Sequence, residues 1–471
     1  MSGDGAFSGL PDLGGAGRGV RRVGGAVLCL ALATAAVAHG QGVQIPEDVR
    51  ANVRSRVDNG WAVGIVVGVV DGGGARYFAS GRTALTGGAP VTERTVFEIG
   101  SVTKVFTALA LADMAVNGLV GLDDPVQRYV PDSVRVPSRS GHWITLRLLS
   151  AQRSGLPRMP SNFAPADPSN PYADYDAGRL YAFLDGYALT RDPGASYEYS
   201  NLGVGLLGLA LSRRAGTSYE DLVLERVIRP LGLADTRITL TPDLRRRLAH
   251  GHAGGREGGN WDLDALAGAG ALRSTAADLA SFLAAAAGLA RTPLDSAFRL
   301  TEAIQGDAGP TLRIGLGWHV TSRDTSTSYW HNGGTGGYHA FIGFDPRRRI
   351  GVVVLSNAAE SIDDIGFHLL DPASPLVPVR VAVTLPADSL DAYVGGYRLA
   401  PGFVLTIRKA ADALVAQATG QGANAIFASA RDEFFFRALD AQISFVRDRS
   451  GRVTSLILHQ NGRDLPAPRI P

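Results

Sequence analysis

Apolar positions recur along this chain with two different periods, and the change of period divides it. From about Gln44 to Pro372 strand-like and helix-like stretches alternate irregularly. Gly64-Ile-Val-Val-Gly-Val-Val70 and Arg76-Tyr-Phe-Ala79, joined by Asp71-Gly-Gly-Gly74, predict a hairpin within a buried sheet. Ser101 to Val120 carries Phe106, Leu109, Leu111, Met114 and Leu119 at helical spacing. Gly203 to Arg214 predicts an apolar helix, and Ser274-Thr-Ala-Ala-Asp278 predicts the capped start of another that runs to Leu289. Two strands follow, His339 to Phe344 and Ile350 to Leu355, with Asp345-Pro-Arg-Arg turning between them. Strands at both ends with helices between them imply an α+β fold over residues 44–372.

Beyond Asp371 the pattern changes. Asp371-Pro-Ala-Ser-Pro-Leu-Val-Pro378 ends one domain and leads into a linker expected over 373–387. From 388 to 471 the apolar residues alternate in short runs: Phe403 to Ile407, Leu414 to Ala418, Glu433 to Phe436, Ile443 to Val446 and Val453 to Leu458. Such spacing predicts a small antiparallel barrel or sandwich. At the other end, Arg18, Arg21 and Arg22 precede an apolar run from Val23 to Val37 that closes on Ala36-Val37-Ala38. This is the layout of a signal peptide over residues 1–38, too short to span a membrane, so export to the periplasm or the extracellular space is expected. Lipid attachment at Cys29 and a twin-arginine signal at Arg21-Arg22 are weaker readings. No later apolar segment is long enough to span a bilayer.

Composition narrows the function classes. The chain has 471 residues with a net charge of +2, which gives no support to a nucleic-acid-binding role. Cys29 is its one cysteine and would leave with the signal, so neither a disulfide framework nor a cysteine-based metal site is expected. The histidines show no metal-binding spacing, and neither a metal nor a cofactor is expected. Of 46 basic residues only Lys104 and Lys409 are lysines. Arginine keeps its proton in a protein, whereas a buried lysine can become a neutral base.

Lys104 follows Ser101 by three residues, about one helical turn, so the amine and the hydroxyl share a face at a helix N-terminus. A nucleophile with its base is one reading; a helix cap with a surface lysine is the other. About a hundred residues later comes Glu198-Tyr199-Ser200-Asn201, before an apolar helix. A tyrosine hydroxyl can relay a proton and an asparagine amide can hold a lysine, although Asn201 could equally cap that helix. Trp330-His331-Asn332-Gly333-Gly334-Thr335-Gly336-Gly337 leads into the His339 strand. Its glycines allow backbone to approach a ligand, and a strand-edge N–H with the N–H of Ser101 would form an oxyanion hole; a glycine-rich hairpin with a structural histidine fits as well.

In this order and at these separations the three pieces resemble the penicillin-recognising serine hydrolases. Tyr-x-Asn is similar to the branch of class C β-lactamases, D-alanyl-D-alanine carboxypeptidases and related esterases. Phe97-Glu-Ile-Gly-Ser-Val-Thr-Lys104 resembles the class C active-site segment, and Arg153-Ser-Gly-Leu-Pro157 a loop of the superfamily. The resemblance implies a β-lactamase/transpeptidase-like domain, an antiparallel sheet flanked by helices plus a helical subdomain, and then a small lipocalin-like β-barrel. It implies Ser101 as the acylated nucleophile, Lys104 and Tyr199 as shared general base, and Asn201, His331, Asn332, Gly333 and Gly334 as substrate contacts. His331 would stand where many members carry a lysine, so that binding of a substrate carboxylate would weaken as pH rises. Arg158-Met159 stand where class C enzymes place a glutamine. The expected activity is hydrolysis of a small-molecule or peptide substrate, a β-lactam or D-alanyl muropeptide. Alternatives are a carboxylesterase with the same site and a non-catalytic penicillin or muropeptide sensor.

Overall fold

In the computed structural model, the described residues are 42–323, 326–410, 413–437, 441–460 and 462–470. The signal-peptide reading, Cys29 included, lies outside them. The first hairpin forms as expected: β1 (Gly64–Asp71) pairs with β2 (Gly74–Gly81), closing at Asp71 opposite Gly74. The later strands join it. With β3 (Gly306–Asp307), β4 (Leu312–Ile314), β5 (His319–Arg323), β6 (Ser326–Gly334), β7 (His339–Asp345) and β8 (Ile350–Ser356), the sheet runs β2-β1-β8-β7-β6-β5-β4-β3. The antiparallel pairing of β1 with β8 brings the two ends of the α+β segment together.

Because side chains alternate along a strand, the central strands feed two cores, one on each face. Val66, Val70, Ile342, Phe344, Val353 and Leu355 pack with α2 (Thr103–Val116) and α4 (Ala276–Ala286). Ile65, Val67, Val69, Phe341, Val352 and Val354 face α1 (Glu47–Asp58) and α5 (Asp363–Leu370). A third core surrounds α3 (Asn201–Ala215), where Leu202, Leu206, Leu207 and Leu211 meet Leu111 and Met114 of α2. This is the helical subdomain, and α2 belongs to both it and the sheet layer.

Local chemistry sets the helix starts. Ser101 lies in a short 3-10 turn, Gly100–Val102, and the α-helix proper begins at Thr103. The cap of α4 is Thr275, whose hydroxyl accepts from Asp278 N–H. At α3 the cap is Ser200, which accepts from Gly203 N–H at 2.8 Å. That leaves the Asn201 side chain free of capping duty.

After the irregular stretch at 371–386, eight strands close an antiparallel barrel in sequence order: β9 (Gly395–Ala400), β10 (Phe403–Ala410), β11 (Ala413–Ala418), β12 (Ala423–Ala430), β13 (Glu433–Phe436), β14 (Ala441–Arg447), β15 (Val453–Gln460) and β16 (Arg463–Ile470). Tyr397, Leu405, Ile407, Ile443, Leu456 and Ala467 lie in its core. Closure removes the exposed strand edges that an open sheet would carry.

Candidate active site

β5 pairs with β6 only as far as His319 opposite Trp330. Residues His331–Gly334 therefore run past β5, and the 3-10 turn bearing Ser101 sits against this part of β6. Glycine makes the approach possible. A Cβ on Gly333 would lie 2.1 Å from Ile99 O and 2.8 Å from Ser101 N, and one on Gly100, at φ +48°, would lie 2.9 Å from Gly334 N. The close fit places the backbone of Gly334 beside Ser101, as an oxyanion hole requires.

Lys104 is 1% exposed, and its Nζ lies 2.9 Å from Ser101 Oγ, 2.9 Å from Asn201 Oδ1 and 2.7 Å from Ala269 O. Burial lowers its pKa well below the usual lysine value, and the nearby charge of Arg158 pushes the same way. A neutral amine has two hydrogens and one lone pair. Asn201 Oδ1 and Ala269 O can only accept, so they take both hydrogens. The lone pair is left for the Ser101 hydroxyl.

Tyr199 lies over the pair, its ring centre 4.8 Å from Lys104 Nζ. Burial raises its pKa strongly, opposed by a hydrogen bond with Ser101 and by the charge of Arg158. The phenol therefore keeps its proton at neutral pH. Its position depends on Gln152, a non-glycine residue at φ +59°, whose Oε1 accepts from Ser200 N–H at 2.7 Å and whose backbone oxygen accepts from Glu198 N–H.

Two expectations at β6 need correction. His331 is buried and faces Tyr199, with 6.3 Å between ring centres. Desolvation, then the charges of His319 and Lys104, drive its pKa well below the ordinary histidine value, so it does not supply a cation that titrates near neutrality. Its Nδ1 lies 2.6 Å from Asn332 O, which fixes the hydrogen there. Asn332 does not face the cleft. Successive strand residues point to opposite faces, and Asn332 donates to Asp363 Oδ2 at 2.6 Å on the α5 side of the sheet, where Asp363 also meets His339.

The cleft in front of Ser101 is lined by Asn201, Gly334 and Thr335, together with residues that sequence reasoning missed. Tyr172 and Trp261 form an aromatic wall, their ring centres 5.1 Å apart. Both come from irregular segments without apolar period. One signal was present: Glu98, an acid inside the apolar Phe97-Glu-Ile-Gly run, is buried and accepts from Trp261 N–H and Asn260 Nδ2, each at 3.0 Å. His319 was also missed. It is buried against His331 with Nε2 3.0 Å from Tyr197 Oη, and burial lowers its pKa to about 4.

A β-lactamase/transpeptidase-like fold that holds a buried lysine amine against a serine hydroxyl defines the class: penicillin-recognising serine hydrolases. Residues 49–368 match the family model described as Beta-lactamase, and the chain belongs to that family. Residues 379–467 match the domain of unknown function DUF3471. Among curated relatives, D-alanyl-D-alanine-carboxypeptidase/endopeptidase AmpH of Escherichia coli (strain K12) is 28% identical over 380 residues, covering 75% of this chain and 97% of the relative. Penicillin-binding protein 4* of Bacillus subtilis (strain 168) is 25% identical over 438 residues, covering 85% and 93%. A solved β-lactamase/D-alanine carboxypeptidase from Yersinia pestis superposes with a TM-score of 0.61 at 24% identity, over 70% of this chain and 96% of that one; it speaks for the fold alone.

Proposed function

We propose that this chain hydrolyses amide or lactam carbonyls through an ester on Ser101, with β-lactams or D-alanyl peptides as substrates. The observation that carries the reading is the Lys104 amine, whose lone pair is left for the Ser101 hydroxyl by two acceptors that cannot donate. As Ser101 Oγ bonds to the carbonyl carbon, its proton passes to Lys104 Nζ, and the N–H groups of Ser101 and Gly334 receive the oxyanion. Tyr199 gives its phenolic proton to the leaving nitrogen and recovers one from Lys104. Water then repeats the sequence on the ester and releases the acid. Asn201 holds the lysine and orients the acyl part of the substrate. Export by the N-terminal signal belongs to the same proposal, since wall peptides and β-lactams lie outside the cytoplasm.

A carboxylesterase is the second reading, and one observation favours it: His331 is buried and neutral where the resemblance would put a lysine for a substrate carboxylate. The test is turnover of nitrocefin, a D-Ala-D-Ala peptide and a neutral p-nitrophenyl ester by the mature protein and by Ser101→Ala. Turnover of either of the first two, lost in Ser101→Ala together with labelling by a fluorescent penicillin, is the expected result. Hydrolysis of the ester alone moves the assignment to the esterase. A stable adduct without turnover indicates a sensor, and labelling retained in Ser101→Ala overturns the nucleophile.

A further inference from the structure

Two basic side chains beside the Tyr199 ring, Lys104 and His331, are buried, and burial lowers the pKa of each, yet a permanent cation lies exposed over the same ring. Arg158 is solvent-exposed, with its guanidinium carbon 4.8 Å from the centre of the Tyr199 ring. The Lys104 amine lies at the same distance from that centre, so the guanidinium is no more than about 10 Å from the amine. Among the described residues no carboxylate pairs with it, whereas many other arginines of this chain, such as Arg147 and Arg247, are held by aspartates. Its backbone is fixed: Arg158 O accepts from the N–H of Asn201 and of Leu202, tying it to the first turn of α3. Its charge is also felt at Tyr172, in the cleft wall.

An arginine fork offers five donors in a plane, of which stacking on a ring occupies none, so its edge stays available for a carboxylate. We propose that Arg158 is a specificity-determining residue that binds a carboxylate on the acyl part of the substrate, the part that remains on Ser101. The inference rests on the acyl-enzyme reading above, in which Asn201 orients that part. Arg158 is fastened to the Asn201 backbone, and its guanidinium lies over the Tyr199 ring beside the nucleophile's lysine. The preferred substrates are then acidic acyl compounds, with the carboxylate several bonds from the scissile carbonyl.

The test compares two esters with one leaving group: mono-p-nitrophenyl adipate, which carries a free carboxylate, and its methyl ester, which does not. The readout is the ratio of their kcat/KM values after subtraction of the enzyme-free rates. A common effect of Arg158 on Lys104 cancels in that ratio. Arg158→Gln is expected to lower the acidic-to-neutral ratio about tenfold, the worth of one charge-assisted hydrogen bond at a rim. Arg158→Lys should keep part of the preference and Arg158→Glu should reverse it. If both esters slow equally and the ratio is unchanged, the proposal is overturned and Arg158 acts only through the lysine. Failure of the underlying reading looks different: both esters would then be hydrolysed as fast by Ser101→Ala.

Discussion

In the proposed mechanism Lys104 becomes a base by removal from water rather than by an acidic partner. An ammonium buried without a carboxylate is costly, and the amine avoids the cost by losing its proton. The sign follows. Below its lowered pKa the amine carries a third hydrogen and has no lone pair for Ser101, so kcat/KM on a neutral ester rises with pH through that value and then levels. Tyr199 holds its proton beyond the ordinary tyrosine value of 10, and His331 stays neutral at neutral pH, so neither adds a second limb near neutrality. A step in the profile that disappears in His331→Asn would show that His331 titrates after all. Lys104→Arg keeps a cation but cannot take the proton. It should slow acylation by about 10³, read as the rate of penicillin labelling, and wild-type labelling would remove Lys104 from the mechanism.

At the scale of elements the site is a contact between a 3-10 turn and the free edge of β6, and two glycines keep it short. Gly333→Ala places a methyl 2.1 Å from Ile99 O, which must push the turn off the strand. Acylation should fall by about 10² to 10³, as when an oxyanion donor is displaced, with the circular dichroism spectrum retained. Full activity in this variant would mean that Gly334 is not a donor. Ser101 and Lys104 were legible in the sequence because their relation is local, one turn of helix. Asn332 was misplaced because motif adjacency hides the strand rule that neighbours face opposite ways, and its amide went to Asp363. The capping role offered to Asn201 fell to Ser200. Tyr172 and Trp261 were invisible, since long-range contacts on irregular segments leave no period. In the barrel, β16 escaped notice because Pro466 and Pro468 argue against a strand, yet both lie in the closing one.

Across the whole molecule, the barrel joins the hydrolase fold at the end of α1, and all the residues that line the cleft fall between Gly100 and Thr335. Arg437 of the barrel donates to Gly60 O at 2.7 Å and Asn59 O at 2.9 Å, the carbonyls just past the end of α1, while its guanidinium covers Phe427. Trp61 stacks on Phe435 and donates to Arg380 O, fixing the segment that leads into the barrel. A cation at a helix C-terminus satisfies carbonyls that the helix leaves unpaired and meets the negative end of its dipole. Arg437→Ala removes both hydrogen bonds, a loss of about 2 kcal/mol at this junction. Because the junction shares no side chain with the Ser101 cleft, hydrolysis of a neutral ester should stay within about twofold of wild type. Cleavage by a protease within residues 371–386 should quicken as the barrel loosens. A matching fall in kcat would show instead that the barrel's seating reaches the nucleophile through α1 and the sheet, and would make the C-terminal part a participant in catalysis.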